Sequence, residues 1–270
     1  DEMIVIPDSS KNIFIVTYDV DYTNGTFKTK AINEKNEQLF SNYQNVSALV
    51  NYDGANNVWY DKEVLKFEKD GKYGLIDFSG KEVLAPEYDD IHTMAGIERT
   101  LIVEKDGKVG LYNSVSKSLF VEPTYVSIEA FGKTYNDGYM FKDENGKYGI
   151  IGSEGKVVLA NTYDKVFKVT GSDKYVVTEG LKTKLISKDG TVIWDSGFDE
   201  ITEINGDYLT IKKVGKYGVI TTTGETVIDT AFDDLKNCFG EYYIARTAGK
   251  YGVIDLAKDI RIEFKYTDIE

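Results

Sequence analysis

The residues of this chain that could carry out chemistry are few and scattered. His92 is the sole histidine and Cys238 the sole cysteine, so no internal disulfide and no histidine-rich metal site can form. A lone histidine binds a metal only with help from carboxylates, and a catalytic triad would need a nucleophile and an orienting acid beside it. We expect His92 to be an exposed or edge residue and Cys238 to be buried as a small apolar side chain. The sequence therefore predicts no catalytic residue, no metal ligand and no cofactor.

Acidic residues recur directly after an aromatic residue, and paired carboxylates can hydrolyse glycosidic bonds. These acids are Asp89-Asp90, Asp164, Asp199-Glu200 and Asp233-Asp234. Because they recur with a structural repeat, we interpret them as acceptors for backbone N–H groups at the starts of strands. A glycan-active hydrolase or lyase that uses carboxylates around a central channel is the alternative.

The segment Asp19–Gly25 superficially resembles a calcium-binding loop. An EF-hand places Gly at the sixth position and Glu at the twelfth, whereas this chain has Asn24 and Lys30 there. We therefore predict a hairpin turn at this segment, with weak calcium binding as the alternative.

An internal repeat must position all of these residues. The tetrapeptide Gly-Lys-Tyr-Gly occurs four times, and Gly71–Ile91, for example, reads GKYGLIDFSGKEVLAPEYDDI. An aromatic-x-x-aliphatic motif occurs in seven copies, which begin at Tyr43, Tyr88, Tyr125, Tyr163, Phe198, Phe232 and Tyr266. Self-similarity at this period indicates a repeat architecture. The motif residues that we assign to the scaffold are Gly71, Tyr73, Gly74, Gly146, Tyr148, Gly149, Gly215, Tyr217, Gly218, Gly249, Tyr251 and Gly252.

Each repeat is predicted to be a four-stranded antiparallel meander. In the unit that begins at Phe232, the predicted strands are Asp233–Cys238, Glu241–Thr247, Lys250–Asp255 and Ile260–Phe264. The second and third strands are joined by residue pairs that suit type I′ hairpins, in which both central residues need a positive φ. These pairs are Asp70-Gly71, Asp106-Gly107 and Asn145-Gly146. The glycine after the motif tyrosine lies inside a strand, where we expect a bulge or a close backbone approach, with an aromatic ring across it.

The repeats predict an all-β fold: a seven-bladed β-propeller of four-stranded antiparallel blades, forming one domain over residues 1–270. A single sheet would expose a hydrophobic face, and stacking against a neighbour buries it. The chain opens with strands of the second and third kind, at Ile13–Thr17 and Thr26–Asn33, and ends at Tyr266–Glu270 with one of the first kind. We therefore expect the C-terminal strand to complete the first blade and close the ring. An open β-solenoid is the alternative.

The composition disfavours several classes of partner. The formal net charge of −13 is unfavourable for binding to nucleic acid or to an anionic membrane surface. No run of eighteen apolar residues is present, so we expect no membrane insertion. An excess of carboxylates is typical of a β-rich protein that stays monomeric, which is the state that we expect.

With these motifs in place, the chain resembles the WG-repeat family, which consists of bacterial all-β repeats built around a Trp-Gly or Tyr-Gly pair. The matching phrases are GKYGLID, GKYGIIG, GKYGVIT and GKYGVID, with GKVGLYN a looser copy and TKAIN and TKLIS degenerate ones. Tyrosine replaces tryptophan throughout, and both side chains are flat aromatics. The resemblance implies an extracytoplasmic binding or display module, secreted or attached to the cell surface, without shared catalytic residues.

Differences between the repeats point to a binding site. The connection between the first and second strands is Phe239-Gly240 in the last unit, but it lengthens to Asn51–Lys62 in the second and to Phe131–Asp137 in the fourth. Loops of a meander alternate between two edges, so we expect these insertions on one face. The candidate ligand-binding residues are Tyr52, Trp59, Tyr60, His92, Arg99 and Tyr135.

Aromatic residues on long surface loops suit the recognition of sugars or proteins. The sequence thus predicts a non-catalytic binding or scaffolding module for a protein partner or a cell-surface polymer. Two alternatives stay open besides the glycan-active enzyme. In the first alternative, the aromatic residues of the insertion serve only to pack it onto the scaffold. In the second, the whole chain is a structural spacer.

Overall fold

A computed structural model of this chain describes residues 2–6, 12–55, 57–169, 172–188, 190–195 and 197–269. These residues form β-strands and one short 3₁₀ helix, Tyr135–Asp137, and none of them builds a helix that could cross a bilayer. The chain divides into two compact units, Asp1–Asn145 with Ile150–Val157, and Gly146–Gly149 with Val158–Glu270. The all-β prediction is confirmed.

Four-stranded antiparallel sheets follow one another along the first unit. Sheet 1 has the order β1 (Glu2–Val5), β2 (Phe14–Asp21), β3 (Thr26–Ile32) and β4 (Gln38–Leu39). Sheet 2 contains β5 (Gln44–Ser47), β8 (Val64–Lys69), β9 (Lys72–Asp77) and β10 (Glu82–Tyr88), in chain order. Between β5 and β8 the chain forms a separate two-stranded sheet of β6 (Val50–Tyr52) and β7 (Val58–Tyr60). Sheet 3 has the order β11 (Asp90–Thr93), β12 (Thr100–Lys105), β13 (Lys108–Asn113) and β14 (Ser118–Tyr125).

Sheet 4 has the order β15 (Ser127–Ala130), β16 (Tyr139–Lys142), β17 (Tyr148–Ile151) and β18 (Val157–Tyr163). In the second unit, sheet 5 contains β19 (Lys165–Lys168), β20 (Lys174–Glu179), β21 (Lys182–Ser187) and β22 (Val192–Asp195). Sheet 6 contains β23 (Glu200–Asn205), β24 (Tyr208–Lys213), β25 (Lys216–Thr221) and β26 (Thr226–Phe232). Sheet 7 contains β27 (Asp234–Phe239), β28 (Tyr242–Thr247), β29 (Lys250–Asp255) and β30 (Ile260–Tyr266). The described part of the chain thus holds seven four-stranded sheets, and the predicted strands of the last one agree to within two residues at each end.

The turns between second and third strands confirm the type I′ prediction at two of its three positions. Asp70 has φ 53° and Gly71 has φ 76°, and the same pair of positive angles occurs at Asp106 and Gly107. Two of the three repeats whose turn lacks Asp and Asn use Val214-Gly215 and Ala248-Gly249 in the same conformation, whereas in the turn Gly180-Leu181 of sheet 5 only Gly180 has a positive φ. Fold context therefore imposes the turn even where the first residue is an unfavourable one.

The prediction is wrong at Asn145-Gly146. Gly146 has a positive φ but Asn145 does not, and the strands that flank them end at Lys142 and begin at Tyr148. From Phe141 to Tyr148 this repeat has one residue more than sheet 2 has from Phe67 to Tyr73, so a two-residue turn does not close the hairpin. Instead the Asp143 carboxylate accepts the Asn145 N–H at 2.9 Å and stabilises a wider turn.

The glycine after the motif tyrosine lies against a bulge of the fourth strand in sheets 2, 6 and 7, as predicted. A Cβ atom on Gly74 would stand 2.6 Å from the Leu84 carbonyl oxygen and 2.8 Å from the Phe67 ring. Gly218 and Gly252 would meet the carbonyls of Ile228 and Ile262 at the same 2.6 Å. The strand register shifts at each of these points. Only glycine fits, because the bulged backbone occupies the volume of a side chain.

The predicted role of the C-terminal strand in sheet 1 is wrong. Glu2–Val5 already pairs antiparallel with β2, so the chain does not open with a strand of the second kind. Residues 267–269 are not in a strand, and Glu270 lies outside the described residues. The N-terminal strand escaped prediction because its four residues precede the first recognisable repeat motif.

Within each unit, hydrophobic cores lie between consecutive sheets. In the first unit, Val64 and Leu75 of sheet 2 pack in one buried cluster with Ile91, Leu101 and Val103 of sheet 3. In the second unit, a corresponding cluster joins sheets 6 and 7; it includes Val219, Ile228, Leu235, Tyr243 and Ala245. Each fully buried aliphatic side chain contributes about 1.5–3 kcal/mol, which makes stacking the main source of stability.

Candidate functional site

The inserted hairpin β6–β7 forms one wall of a cavity in the first unit. Strands β5 and β8 pair directly with each other, so the hairpin projects from sheet 2 without replacing any of its strands. Within the hairpin, Asn51 stands opposite Trp59. Because side chains alternate along a strand, Asn51 and Trp59 share one face and Tyr52 lies on the other. Tyr52 is accordingly exposed.

Asn51 fastens the hairpin to the connection between β11 and β12. Its side chain is buried, and its Nδ2 donates hydrogen bonds to the carbonyl oxygens of Met94 at 3.2 Å and Ile97 at 2.8 Å. Its Oδ1 accepts the N–H of Gly96 at 2.9 Å and that of Tyr52 at 2.8 Å. All hydrogen-bonding atoms of this buried amide are satisfied, which gives the hairpin one defined position.

Between the hairpin and sheet 3 lies a cavity of about 290 Å³. We call it the Trp59 cavity. Its lining includes Trp59, Tyr60, Lys62, Glu98, Arg99 and Ser114. An apolar aromatic surface is therefore combined with charged and hydroxyl groups, which is the usual make-up of a site for an organic ligand.

Ser114 is one of the residues that line the Trp59 cavity, and its hydroxyl oxygen is buried without a hydrogen-bond partner among the described residues. The residue is only 1% exposed. Its N–H donates to the Arg99 carbonyl at 3.0 Å, which fixes the position of the turn. A buried hydroxyl without a partner costs about 1–3 kcal/mol, so a ligand that bonds to it would recover this free energy.

Arg99 adopts the left-handed backbone region with φ 65°, which is uncommon for a residue other than glycine. Its guanidinium lies 5.2 Å from the centre of the Tyr135 ring, and no carboxylate among the described residues forms an ion pair with it. The strained backbone and the ring together hold a cation at the Trp59 cavity. Such a group can pair with an anionic or polar group of a ligand.

The structure brings together part of the predicted set of site residues. Trp59, Tyr60 and Arg99 line one cavity, and Tyr135 is held against Arg99 without being part of the lining. Tyr52 and His92 do not contribute to the lining. Sequence reasoning missed Ser114 and Asn51, because a buried serine without a partner and a docking amide have no signature outside their tertiary context.

His92 lies on β11, the edge strand of sheet 3, and its side chain is partly exposed, as predicted. Its Nδ1 is 3.4 Å from Asp90 Oδ2 and 3.7 Å from Glu104 Oε1. The Lys66 ammonium is 3.1 Å from the other oxygen of Asp90. The His92 imidazole is the largest cause that holds the pKa of Asp90 well below its usual range; Lys66 adds to this effect and partial burial opposes it.

The recurrent acids serve the scaffold. The carboxylates of Asp89, Asp164 and Asp199 each accept, at 2.7 Å, a backbone N–H from the hairpin turn of their own repeat. Lysines of the Gly-Lys-Tyr-Gly motif also form ion pairs with recurrent acids, in the pairs Lys72–Asp89, Lys147–Asp164 and Lys216–Asp233. The prediction that these acids accept backbone N–H groups at strand starts is confirmed for Asp90 and Asp234, which accept the N–H groups of Ile91 at 2.8 Å and Leu235 at 3.0 Å. For Asp89, Asp164 and Asp199 the donors lie in the turns instead.

Two smaller predictions have different outcomes. At the segment Asp19–Gly25, β2 and β3 form the predicted hairpin, and the Asp21 carboxylate accepts the N–H groups of Thr23 at 2.9 Å and Asn24 at 3.2 Å. The predicted burial of Cys238 is wrong, because Cys238 is exposed. The register of β27 shifts between Asn237 and Phe239, so Cys238 lies in a bulge and turns away from the core.

Comparison with known proteins identifies the repeat. Residues 73–108 and 217–251 match the family model described as the WG containing repeat. Both segments begin at a motif tyrosine, and the predicted resemblance is confirmed for them. No curated protein matches the chain.

Among solved structures, a eukaryotic initiation factor aligns at 10% identity and a TM-score of 0.45, over 99% of this chain and 78% of the other. PorZ, a surface component of the type-IX secretion system of Porphyromonas gingivalis, aligns at 9% identity and a TM-score of 0.35, over 97% of this chain and 37% of PorZ. Hsv2 of Kluyveromyces marxianus aligns at 12% identity and a TM-score of 0.39, over 60% of this chain and 57% of Hsv2.

Proposed function

We propose that this chain, which carries WG-containing repeats, is a non-catalytic binding module of an exported bacterial protein. It holds a protein partner or a cell-surface polymer at the Trp59 cavity, outside the cytoplasm and as a monomer. The repeated residues form the scaffold, and the ligand contacts come from the hairpin β6–β7 and from the connection that follows β11.

The observation that carries this proposal is that two polar groups of the residues lining the Trp59 cavity have no hydrogen-bond or ion-pair partner among the described residues. Ser114 Oγ is buried without a partner, and Arg99 has no carboxylate partner among the described residues. Next to them, Trp59 and Tyr60 offer flat surfaces on which a sugar ring or an apolar side chain can stack. A ligand with a ring and an adjacent polar or anionic group would satisfy all of them.

The same reasoning favours binding over glycan hydrolysis. Asp89, Asp164 and Asp233, which are candidates for channel carboxylates, are bonded to turn N–H groups or lysines. A glycosidase needs one carboxyl group that stays protonated and one that is free to attack or to activate water. The pKa of each of these three acids is lowered, chiefly by its lysine, which suits a permanent scaffold charge.

The proposal includes a seven-bladed propeller, in which the seven four-stranded sheets are blades of one domain over residues 1–270. The repeat copies and the number of four-stranded sheets in the described residues support it. Since β1 completes sheet 1, closure relies on packing between sheet faces and not on a strand shared between the two ends of the chain.

The test is a capture experiment with matched baits on the envelope fraction of the source bacterium. Wild-type protein and the Trp59→Ala, Arg99→Ala and Tyr22→Ala variants are immobilised, and retained proteins and polysaccharides are quantified. Tyr22 is a matched control because it is an exposed aromatic on a different hairpin. We expect the Trp59 and Arg99 variants to retain about tenfold less of one component, or less still, since central hot-spot residues of an interface contribute about 2 kcal/mol or more each.

Equal retention by all four baits contradicts the proposal, as does turnover of a glycan by the wild-type protein. Circular dichroism of each bait shows that loss of capture does not result from unfolding.

A further inference from the structure

The second cluster of reactive side chains lies on β11 and β12, outside the Trp59 cavity. Asp90 is opposite Glu104 in the register of these antiparallel strands, and His92 follows Asp90 by two residues. Residues two apart on a strand and directly opposite on its neighbour point to the same face of the sheet. Two carboxylates and one imidazole therefore share that face.

The distances within this cluster are long for hydrogen bonds and are compatible with a shared metal ion. His92 Nδ1 is 3.4 Å from Asp90 Oδ2 and 3.7 Å from Glu104 Oε1, which is longer than a good N–H···O hydrogen bond. Ligand atoms about 2.0–2.2 Å from a tetrahedral Zn²⁺ lie about 3.4 Å apart. The potential ligand atoms of all three residues lie within 4.8 Å of one another.

The repeat does not explain this combination of residues. At the three corresponding positions sheet 7 has Asp234, Arg246 and Lys236, and in sheet 6 Glu200 is opposite Lys212. Basic residues occupy the corresponding places in sheets 4 and 5 as well, at Lys142 and Lys165. Only sheet 3, among the described sheets, has three potential metal ligands there.

We infer that Asp90, His92 and Glu104 form a binding site for a divalent transition-metal cation, with Zn²⁺ as the best match. The imidazole favours zinc and its neighbours over Mg²⁺ and Ca²⁺, which prefer oxygen ligands only. The three side chains are each about two-fifths exposed, at 42–43%, so a water molecule can complete a tetrahedral site. Bound in this way, the cation would tie the edge strand β11 to β12.

Lys66 distinguishes a metal site from a metal-free ion-pair network. Its ammonium binds Asp90 Oδ1 at 3.1 Å and leaves Oδ2 free to face His92. The two carboxylates outnumber the one ammonium, so the cluster attracts a cation, whereas Lys66 repels it. Removal of the Lys66 charge should therefore strengthen metal binding, whereas in a metal-free ion-pair network it would only remove a contact.

The experiment is a titration of the purified full chain with ZnCl₂ by isothermal calorimetry, and with CoCl₂ by visible absorption. We expect one Zn²⁺ per chain and the intense d–d bands of tetrahedral Co²⁺. His92→Ala and Glu104→Gln should each weaken Zn²⁺ binding at least about tenfold, and Lys66→Gln should strengthen it several-fold. Asp234→Asn changes the corresponding acid of sheet 7 and should leave the affinity unchanged.

No stoichiometric binding by the wild-type chain would overturn the inference. The same conclusion follows if His92→Ala binds as tightly as the wild type, or if Asp234→Asn weakens binding as much as Glu104→Gln. Thermal unfolding of each metal-free variant shows whether it is folded before titration.

Discussion

The two glycines of a repeat are required for different physical reasons. Gly249 has φ 74° in a turn and open space around its Cα, whereas Gly252 lies in a strand with the Ile262 carbonyl 2.6 Å from where a Cβ would be. The first position needs a permissive backbone, and the second needs the absence of a side chain.

We therefore predict opposite tolerance to asparagine at these two positions. Gly249→Asn should reduce the free energy of unfolding by less than about 1 kcal/mol, because Asn tolerates the left-handed region. Gly252→Asn should reduce it by about 3 kcal/mol or more, since its side chain overlaps backbone and the Phe264 ring. Urea denaturation measures both, and equal losses would contradict the assignment of roles.

The Lys–Asp pairs predict how stability depends on pH. Hydrogen bonds from Lys72 and Lys216 are the largest cause of the lowered pKa of Asp89 and Asp233. A carboxyl group with a lowered folded-state pKa contributes stability above its unfolded pKa, about 4, and loses it as the pH falls through the folded value. The thermal midpoint should therefore fall between about pH 5 and pH 2.

Asp89→Asn and Asp233→Asn should each flatten this decline, because the substituted group no longer takes up a proton. Glu154→Gln is the control, since Glu154 is highly exposed and its distance to Lys156 is 3.7 Å. Parallel pH profiles for wild type and both Asn variants would show that these pairs contribute nothing measurable, as many exposed ion pairs do.

At the scale of elements, the hairpin β6–β7 is docked by the buried amide of Asn51, and Thr93 Oγ1 adds a hydrogen bond to the Val50 carbonyl. Asn51→Ala leaves the Ile97 carbonyl and the Gly96 N–H without this partner, whereas the Met94 carbonyl keeps the N–H of Ile97 at 3.0 Å. We expect a loss of about 1–3 kcal/mol in local stability and faster amide hydrogen exchange at Gly96. The amides of β8 and β9 should keep their protection, because sheet 2 pairs without the hairpin.

Tyr52→Ala is the matched control for this substitution. It changes the adjacent residue, whose side chain is exposed and takes no part in docking. If exchange at Gly96 were unchanged in Asn51→Ala, the hairpin would be held by other contacts.

Strands, hairpins and glycine bulges could be predicted from the sequence because each has a local cause. The turn at Asp70-Gly71 needs two positive φ angles, and the glycine at 74 needs a missing side chain. The wider turn at Asn145 results from one additional residue, and the exposure of Cys238 results from a register shift of β27. Composition reveals neither effect. Of the residues that line the Trp59 cavity, Trp59, Tyr60 and Arg99 could be predicted from the sequence. Ser114 could not, because its role depends on its burial in the folded chain.

At the scale of the whole molecule, the proposed ring predicts compact dimensions. A compact chain of 270 residues has a radius of gyration of about 18 Å, from the scaling for folded domains. We expect small-angle X-ray scattering of the monomer to give about this value, with a single-peaked distance distribution. An open solenoid of stacked sheets would give a clearly larger radius and a long tail in that distribution, which would contradict closure.

The way in which the hairpin β6–β7 is inserted has an evolutionary consequence. Strands β5 and β8 pair at the base of the insertion, so exchange of those few residues leaves the hydrogen-bonded ladder of sheet 2 intact. New specificities can then arise by exchange of this single short segment. Such a segment needs only to replace the contacts that Asn51 makes with the connection between β11 and β12.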